Sequence, residues 1–502
     1  MFESMLNGLL LTLQWKSMLM IFLAVPIGMF FGAVPGLGGK LGIALCIPFV
    51  FGMDPVPGFA FLLGMHSVVH TGGSLPSILF GTPGTGPDAA TIVDGYPMAK
   101  RGEAGRAMGA ALGASGLGGL LGALFMALMI PIVRPVVLAF SPSEFFMMAV
   151  FGITLIALVS GDSLLKGLIV GAFGLGISLV GMDPQTGIVR FGFGQLFLWD
   201  GVDLITIVVG IFALAEMMEL GVKGGAIADV DESTGQGYTF AGVIEGMKDV
   251  IRHRWLFLRC GLIGSLIGMI PGLGGDAATW ICYGHAVQTS KEPETFGQGN
   301  VAGVIAPEAA NNSKEGGSLI PTVAFGVPGS SGMAILLGAF MVLGLSPGPM
   351  VLVNELDTVW AMVWILAIAN VLAVIMFLGI TGWVAKLTFL RGSLIIPFVF
   401  VMVMLGSYLA MRRWENLLLA VLFGFIGYAM KKCKYPRPPL IIGVVLGEMA
   451  EINLHKSLDL WGIGFLGRPL TVVLIAMTVV SILYPMYKSL FGKNNNNKVS
   501  VA

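Results

Sequence analysis

One helix-breaking motif occurs twice in this chain, once in each half and each time within strongly apolar sequence. Pro-Gly-Leu-Gly-Gly stands at 35–39 and again at 271–275. Downstream, Gly-Gly-Ser-Leu at 72–75 is matched at 316–319, and each copy is followed by a Gly-x-Pro-Gly turn. Inside a membrane, non-helical backbone is tolerated only where it is buried in protein or lines a cavity. Matched interruptions in two halves therefore point to the binding site of a transporter.

The composition places most of the chain in a lipid bilayer. Of its 502 residues, 56% are hydrophobic and 11% are charged, whereas soluble domains have about 25% charged residues. Apolar segments long enough to span a bilayer include 17–34, 107–133, 358–385 and 470–490. The net charge is zero, so no nucleic-acid partner is expected. The four cysteines show no paired metal spacing, and we predict no cofactor and no structural metal.

Short loops rich in lysine and arginine orient the predicted helices, because such loops stay in the cytoplasm. They lie at 100–106, 220–256 and 431–437. In this orientation, the Glu-Met-x-Glu sequences at 216–219 and 448–451 end comparable helices on opposite sides of the membrane. The two halves are therefore expected to insert with opposite polarity. This predicts an all-α polytopic membrane protein of two inverted-topology repeats with discontinuous helices and re-entrant hairpins.

The motifs also predict the domain boundaries. Repeat 1 is predicted at 1–220, with a broken helix at 35–39 and a hairpin at 72–87. A cytoplasmic linker at 221–236 leads to repeat 2 at 237–460, with a broken helix at 271–275 and a hairpin at 316–332. A terminal membrane helix and a disordered tail are predicted at 461–502. The apolar pieces 58–70 and 74–81 are too short to span, and we interpret them as separate half-helices or re-entrant segments.

The residues around the two breaks form the predicted substrate site. A helix that restarts after a break presents free N–H groups and a partial positive charge to an anion, and hydroxyl and amide side chains add further donors. The alternative is that the glycines only permit close helix packing or a kink. The predicted substrate-binding residues are Gly36, Gly38, Gly39, Lys40, Ser74, Thr82, Gly84, Thr85, Gly272, Gly274, Gly275, Asn311, Asn312, Gly329, Ser330 and Ser331.

Lys40 and Asp276 follow the two motifs at equivalent positions and break their symmetry. Charged side chains inside a membrane are costly and usually functional. Lys40 could contact a substrate carboxylate, pair with Asp276, or extend to the membrane surface. The sequence leaves these three alternatives open.

Four titratable residues are candidates for coupling transport to an ion: His66, His70, Asp276 and Glu308. His66 and His70 share one face of a helix, where they could relay a proton, bind an anion or form a neutral hydrogen-bonded pair. Glu308 belongs to the polar stretch Ala306–Asn312, which we interpret either as part of the site or as a helix cap and polar loop. Apart from transient binding of Na⁺, no metal is predicted here.

The chain resembles the TctA family, the large membrane subunit of tripartite tricarboxylate transporters. The resemblance rests on Pro35–Gly39, on Asp-Gly-Tyr-Pro-Met-Ala-Lys at 94–100, on Ala306–Asn312 and on the two Pro-Gly hairpins. It implies a multi-pass permease of the bacterial inner membrane that imports an organic anion. The implied partners are a periplasmic solute-binding protein similar to TctC and a small membrane subunit similar to TctB. The implied energy source is a gradient of Na⁺ or H⁺, and the sequence contains no P-loop for ATP.

Two departures from the family pattern leave the carboxylate substrate open, whether di- or tricarboxylate. Many members have a small or neutral residue at the position of Lys40, and a tyrosine-rich stretch in place of 66–70. We expect a secondary active transporter that works by alternating access, without enzymatic activity, and a homo-oligomer is compatible with the sequence. The alternatives are an anion channel, which would also use broken helices, and an intramembrane enzyme, for which only His66 and His70 offer suggestive chemistry.

Overall fold

The protein is helical throughout most of its length. The computed structural model describes residues 1–34, 37–159, 163–183, 186–223, 239–271, 274–387, 397, 400–401, 403–405, 407–409 and 412–491. The predicted all-α membrane class is confirmed within these residues, whose only sheet is one short strand pair. The predicted linker is described only as far as Lys223, and the chain after Phe491 lies outside the described residues.

The α-helices range in length from 5 residues (Leu204–Val208) to 35 residues (Ala104–Leu138). They are α1 Phe2–Leu13, α2 Trp15–Ala33, α3 Gly38–Cys46, α4 Pro55–Phe80, α5 Ala89–Met98, α6 Ala104–Leu138, α7 Pro142–Val159, α8 Leu164–Ser178, α9 Leu204–Val208, α10 Ala215–Lys223, α11 Phe240–Arg252, α12 Arg254–Gly268, α13 Gly274–Thr289, α14 Ala302–Phe325, α15 Ser331–Val342, α16 Pro349–Asn354, α17 Leu356–Leu387, α18 Glu415–Lys432, α19 Pro438–Trp461 and α20 Pro469–Phe491. The antiparallel strands are β1 Gly181–Met182 and β2 Val189–Arg190.

Three helical segments of the described chain are long and apolar enough to cross a membrane: Trp15–Ala33, Ala89–Leu138 and Leu356–Gly379. They include the predicted segments 17–34 and 107–133 and most of 358–385. A fourth span results if the bent pair Pro438–Gly467 and Pro469–Leu483, which meet at 69°, is counted as one. Other apolar helices, such as α3 and α15, are too short to count because breaks interrupt them.

The chain forms two compact units. The first contains 1–137 and 203–429, and the second contains 138–202 and 430–502. Both Pro-Gly-Leu-Gly-Gly motifs belong to the first unit, each between two helices: α2 ends at Ala33 before α3 begins, and α12 ends at Gly268 before α13 begins.

In the second unit, α19 packs against α7 and α8. Arg190, the last residue of β2, pairs with Glu451 through both terminal nitrogens of its guanidinium group. Glu451 therefore lies within α19, which continues to Trp461, and the expectation that 448–451 ends a helix was wrong.

In the first unit, α2 packs on α4 in the same way as α12 packs on α14. A Cβ atom added to Gly32 would lie 1.8 Å from the carbonyl oxygen of Val69, and one added to Gly268 would lie 2.4 Å from that of Lys314. One turn earlier, Gly28 and Gly264 meet the backbones of their partner helices in the same manner. Small residues permit such close approach of helices in membranes, so the motif repeat is accompanied by a repeat of helix packing.

A second repeated contact joins the first helix of each half to a long helix of the other half. These two first helices are α1 and α11. A Cβ atom on Gly8 of α1 would lie 2.7 Å from the backbone nitrogen of Ala361 on α17, and one on Gly246 of α11 would lie 2.5 Å from that of Ala110 on α6. Each half therefore packs its first helix on a long helix of the other half, and the two contacts involve equivalent backbone atoms.

The predicted pieces 58–70 and 74–81 are one continuous helix, α4, so their separation was wrong. The glycine pair at 72–73 lies inside α4 because Gly72 meets α2: an added Cβ would lie 2.4 Å from the carbonyl oxygen of Met29. The chain leaves the helix only at Gly81, whose φ is +64°. The second half repeats this arrangement, since 316–319 lie inside α14 and Gly326 ends it with φ of +68°.

The glycine contacts predict that alanine substitutions at two glycines of the second half affect the stability of the protein differently. Gly268→Ala would drive a methyl group into the backbone of Lys314, whereas Gly284→Ala in α13 meets nothing within 4 Å. Forced overpacking costs about 1–3 kcal/mol. We expect Gly268→Ala to lower the melting temperature of the detergent-purified protein and Gly284→Ala to leave it unchanged or slightly higher. Equal melting temperatures would contradict the described packing.

Candidate functional site

A cluster of polar side chains, all of them buried except the half-buried Thr85, lies between α4 and α14, and we call it the buried polar cluster. Helix α4 supplies His66 and His70, the segment before α5 supplies Thr85 and Asp88, and α14 supplies the rest. The cluster consists of His66, His70, Thr85, Asp88, Glu308, Asn311, Asn312, Lys314 and Glu315. The polar stretch 306–312 is therefore the interior of a helix, and the cap-and-loop alternative was wrong.

Glu315 is the centre of the cluster. Lys314 Nζ donates to Glu315 Oε1, and His70 Nε2 lies 3.2 Å from the same oxygen. Glu315 Oε2 lies 3.5 Å from His66 Nε2 and forms no hydrogen bond. The Glu315 side chain is 1% exposed. One carboxylate thus faces two imidazoles and an ammonium away from solvent.

A chain of hydrogen bonds leads from His70 to Asn311. His70 Nδ1 lies 3.1 Å from Thr85 Oγ1, which donates to Asp88 Oδ2 over 2.7 Å. The backbone N–H of Thr85 donates to the same oxygen over 2.8 Å. Asn311 Nδ2 donates to Asp88 Oδ1 over 2.8 Å. These three donors hold the fully buried Asp88 carboxyl group in place.

Glu308 and Asn312 tie α14 to other helices. Glu308 accepts hydrogen bonds from Thr91 on α5 over 2.6 Å and from Ser115 on α6 over 2.7 Å. Asn312 Nδ2 donates to the hydroxyl of Thr71 on α4 over 2.9 Å and to the amide oxygen of Asn370 on α17 over 2.7 Å. Polar bonds of this kind fix helix positions in a membrane protein.

His66 stands between the first turns of two short helices. A Cβ atom on Gly39 of α3 would lie 3.0 Å from His66 Nδ1, and one on Gly332 of α15 would lie 2.5 Å from His66 Nε2. Neither ring nitrogen forms a hydrogen bond, although the residue is 4% exposed. The free N–H groups of a helix N-terminus and an unpaired imidazole together suit an anion. Ser330 caps α15 by accepting from Met333 N–H.

Asn311 occupies the position in α14 that His66 occupies in α4. Gly72 in α4 and Gly317 in α14 contact equivalent backbone positions of α2 and α12. When the two helices are aligned on these contacts, Asn311 is equivalent to His66 and Glu315 is equivalent to His70. Asn311 Oδ1 is buried and has no hydrogen-bond partner. The repeated packing therefore carries different chemistry in its two copies.

Of the other predicted substrate residues, some shape the backbone around the cluster. Gly38 begins α3 with φ of +64°, and Gly274 and Gly275 begin α13. Gly84 and Gly329 pack on α2 and α12, where an added Cβ would lie 2.2 Å from the Gly32 carbonyl oxygen and 2.6 Å from that of Gly268. These contacts support the close-packing interpretation for both turns.

The remaining predicted residues lie at the edge of the cluster or outside the described part. Ser74 donates to the backbone carbonyl of His70 over 3.2 Å. Thr82 is half-buried, Ser331 begins α15, and Lys40 is exposed on α3, near enough for its charge to act on His66. Gly36, Gly272 and the Asp276 side chain lie outside the described residues, so the alternative pairing of Lys40 with Asp276 stays open.

Sequence reasoning missed three charged members of the cluster: Asp88, Lys314 and Glu315. The signal for Glu315 was present, because 308, 311, 312 and 315 recur at the spacing of one helix face. Interpreting 306–312 as a segment between broken helices removed that periodicity. Asp88 carried no comparable signal, since it reaches the cluster only through a turn.

The cluster contains more buried acidic groups than basic ones. Asp88, Glu308 and Glu315 contribute three carboxyls, and Lys314 contributes one ammonium. An uncompensated buried charge is expensive, so a cluster of this composition favours the uptake of a proton or a cation. Among the described residues, no group of three or more histidine, cysteine or acidic side chains could hold a metal ion.

Comparison with known proteins gives a family match over most of the chain. The family described as "Tripartite tricarboxylate transporter TctA family" matches residues 18–442. An uncharacterized 52.8 kDa protein in the TAR-I ttuC' 3' region of Agrobacterium vitis is 29% identical over 487 residues, covering 94% of each chain. An uncharacterized protein in the TAR-II ttuC' 3' region of the same organism is 29% identical over 236 residues, covering 46% of this chain and 97% of its own length. No solved structure matches.

The hydrogen bonds of Thr85 predict a cost for removing its hydroxyl. Thr85→Val removes the hydroxyl that contacts His70 Nδ1 and donates to Asp88 Oδ2. Taking a hydrogen bond from the buried Asp88 carboxyl group costs about 1–3 kcal/mol. Thr82→Val is the matched control, because it makes the same change in the same turn at a side chain that is half-buried, as that of Thr85 is, but that lies at the edge of the cluster. We expect thermal unfolding in detergent to show destabilisation of Thr85→Val alone. Equal destabilisation of both variants would contradict the described bonds.

Proposed function

The chain belongs to the tripartite tricarboxylate transporter TctA family, and on that premise we propose that it is the permease subunit that imports an organic carboxylate across the bacterial inner membrane. The proposed mode is ion-coupled secondary transport by alternating access. Family membership makes the chain a component of a tripartite transporter and points away from an enzyme. The substrate is proposed to be a di- or tricarboxylate.

The observation that carries the proposal is the convergence of two helix N-termini on His66. Gly39 of α3 and Gly332 of α15 both lie against the imidazole, and both ring nitrogens lack hydrogen-bond partners. A carboxylate placed there would accept from backbone N–H groups and from the imidazole. Lys40, exposed on α3, supplies a positive charge at the approach to this point.

Ion coupling is supported by the charge of the buried polar cluster. Three buried carboxyls accompany one buried ammonium, and importing an anion toward this cluster adds further negative charge. Binding a cation or proton together with the anion offsets the electrostatic cost. His66 is itself a member of the cluster, in which Glu315 faces both histidines.

The repeated packing supports alternating access between two related halves. The α2–α4 and α12–α14 pairs share glycine contacts, and α1 and α11 each pack on a helix of the other half. Inverted repeats produce such pairs of equivalent contacts, and movement of one part past the other opens the site to either side. An elevator-like movement is our preferred mode by analogy.

The proposed partners are a periplasmic solute-binding protein and a small membrane subunit. A transporter family named tripartite implies two components besides this chain. A binding protein would deliver the carboxylate to the permease.

Two alternatives make different predictions. An anion channel would carry flux that does not saturate and that needs no binding protein. An intramembrane enzyme would need an activated nucleophile. The hydroxyl beside His70 belongs to Thr85, and it donates its proton to Asp88 rather than to the imidazole.

Substitution of His66 tests the proposed anion site. In proteoliposomes with the cognate binding protein, we expect His66→Ala to raise the KM for carboxylate uptake about tenfold to a hundredfold, since a hydrogen bond to a charged group contributes about 1.5–3 kcal/mol. The control is His253→Ala, at the junction of α11 and α12. An unchanged KM in His66→Ala would refute the anion site. Flux that is linear with carboxylate concentration in the unsubstituted protein would favour a channel.

A further inference from the structure

The proton positions on His70 follow from the hydrogen bonds around it. Thr85 Oγ1 has a single proton, which it donates to Asp88 Oδ2 over 2.7 Å. The hydroxyl oxygen can therefore only accept from His70 Nδ1, 3.1 Å away. His70 Nδ1 consequently carries a proton in either charge state, and Nε2 is the nitrogen that gains or loses one.

His70 Nε2 faces a donor and an acceptor at the same distance. Lys314 Nζ lies 3.2 Å away and can only donate, and Glu315 Oε1 lies 3.2 Å away and can accept. A neutral imidazole accepts from Lys314. A protonated imidazole repels that ammonium and donates to Glu315. The protonation state of one nitrogen thus selects between two neighbouring side chains of α14.

We propose that His70 Nε2 is the binding site of the coupling ion and that this ion is H⁺, not Na⁺. This proposal rests on the proposed function and identifies its driving ion. The proton enters from water on the periplasmic side, forms the N–H bond of an imidazolium, and leaves to water on the cytoplasmic side, so no other reactant is needed.

The groups that face His70 explain why proton and anion binding are linked. They are His66 on the same helix, Thr85 and Asp88 before α5, Lys314 and Glu315 on α14, and, on α3 beside His66, Lys40. The centroids of the two imidazole rings are 6.1 Å apart, and both rings face Glu315.

The shared carboxylate carries the linkage. While His70 is neutral, Glu315 presents negative charge to His66, with Oε2 3.5 Å from its Nε2. Protonation of His70 adds a positive partner for Glu315, which lessens the repulsion that an anion meets beside His66. By reciprocity, the bound anion favours protonation of His70 to the same extent.

The substitutions His70→Gln and His70→Asn keep a polar amide at this position but cannot titrate. We expect the unsubstituted protein in proteoliposomes with its binding protein to accumulate carboxylate under an inward H⁺ gradient without Na⁺. In both variants, accumulation should fall roughly tenfold or more, while exchange of internal for external carboxylate at equal pH stays within about twofold. His253→Gln is the control and should retain both activities.

A second measurement separates a coupling role from a structural one. Carboxylate affinity of the unsubstituted protein should rise as the pH falls, because protonated His70 favours the anion, and this dependence should be absent from the variants. Accumulation driven only by Na⁺ in the unsubstituted protein would overturn the proposal, as would H⁺-driven accumulation in both variants or loss of exchange in both. If the unsubstituted protein neither accumulates nor exchanges any carboxylate, the proposed function itself fails.

Discussion

The interaction between Lys314 and Glu315 is the constraint on which the rest of the site depends. Both side chains are buried, and a buried ion pair costs less when neighbouring groups form hydrogen bonds with it. His70 provides one such partner and in turn engages Thr85 and the turn before α5. Loss of either charge would leave the other buried alone, and the contacts of His70 with both residues tie α4 to α14.

Close helix packing makes room for that pair. Where α2 meets α4 and α12 meets α14, glycines such as Gly32 and Gly268 bring the backbones together. The side chains directed between α4 and α14 are buried and therefore depend on one another for hydrogen bonds. The packing is the same in the two halves, but His66 and Asn311 stand at its equivalent positions. A duplicated structure with unequal side chains thus gives two equivalent places of different chemistry.

Part of the site was predictable and part was not. The residues His66, His70, Glu308, Asn311 and Asn312 were selected from the sequence, and they lie together in the structure. Glu315 was missed because continuous helices were predicted as short pieces. In soluble proteins, a Gly-Gly pair with a nearby proline favours a break. Here Gly72 remains helical because the neighbouring helix occupies the space of a side chain.

The sequence by itself determined the membrane class, the duplicated breaks and the ends of the long helices, because composition and the placement of glycine and proline act locally. Gly81 and Gly326, for instance, end their helices in the left-handed conformation that glycine adopts readily. Only the tertiary structure decided that His70, Asp88 and Glu315 belong to one cluster. Their meeting depends on the register in which distant helices pack, and that register is set by many contacts between backbones and not by any short stretch of chain.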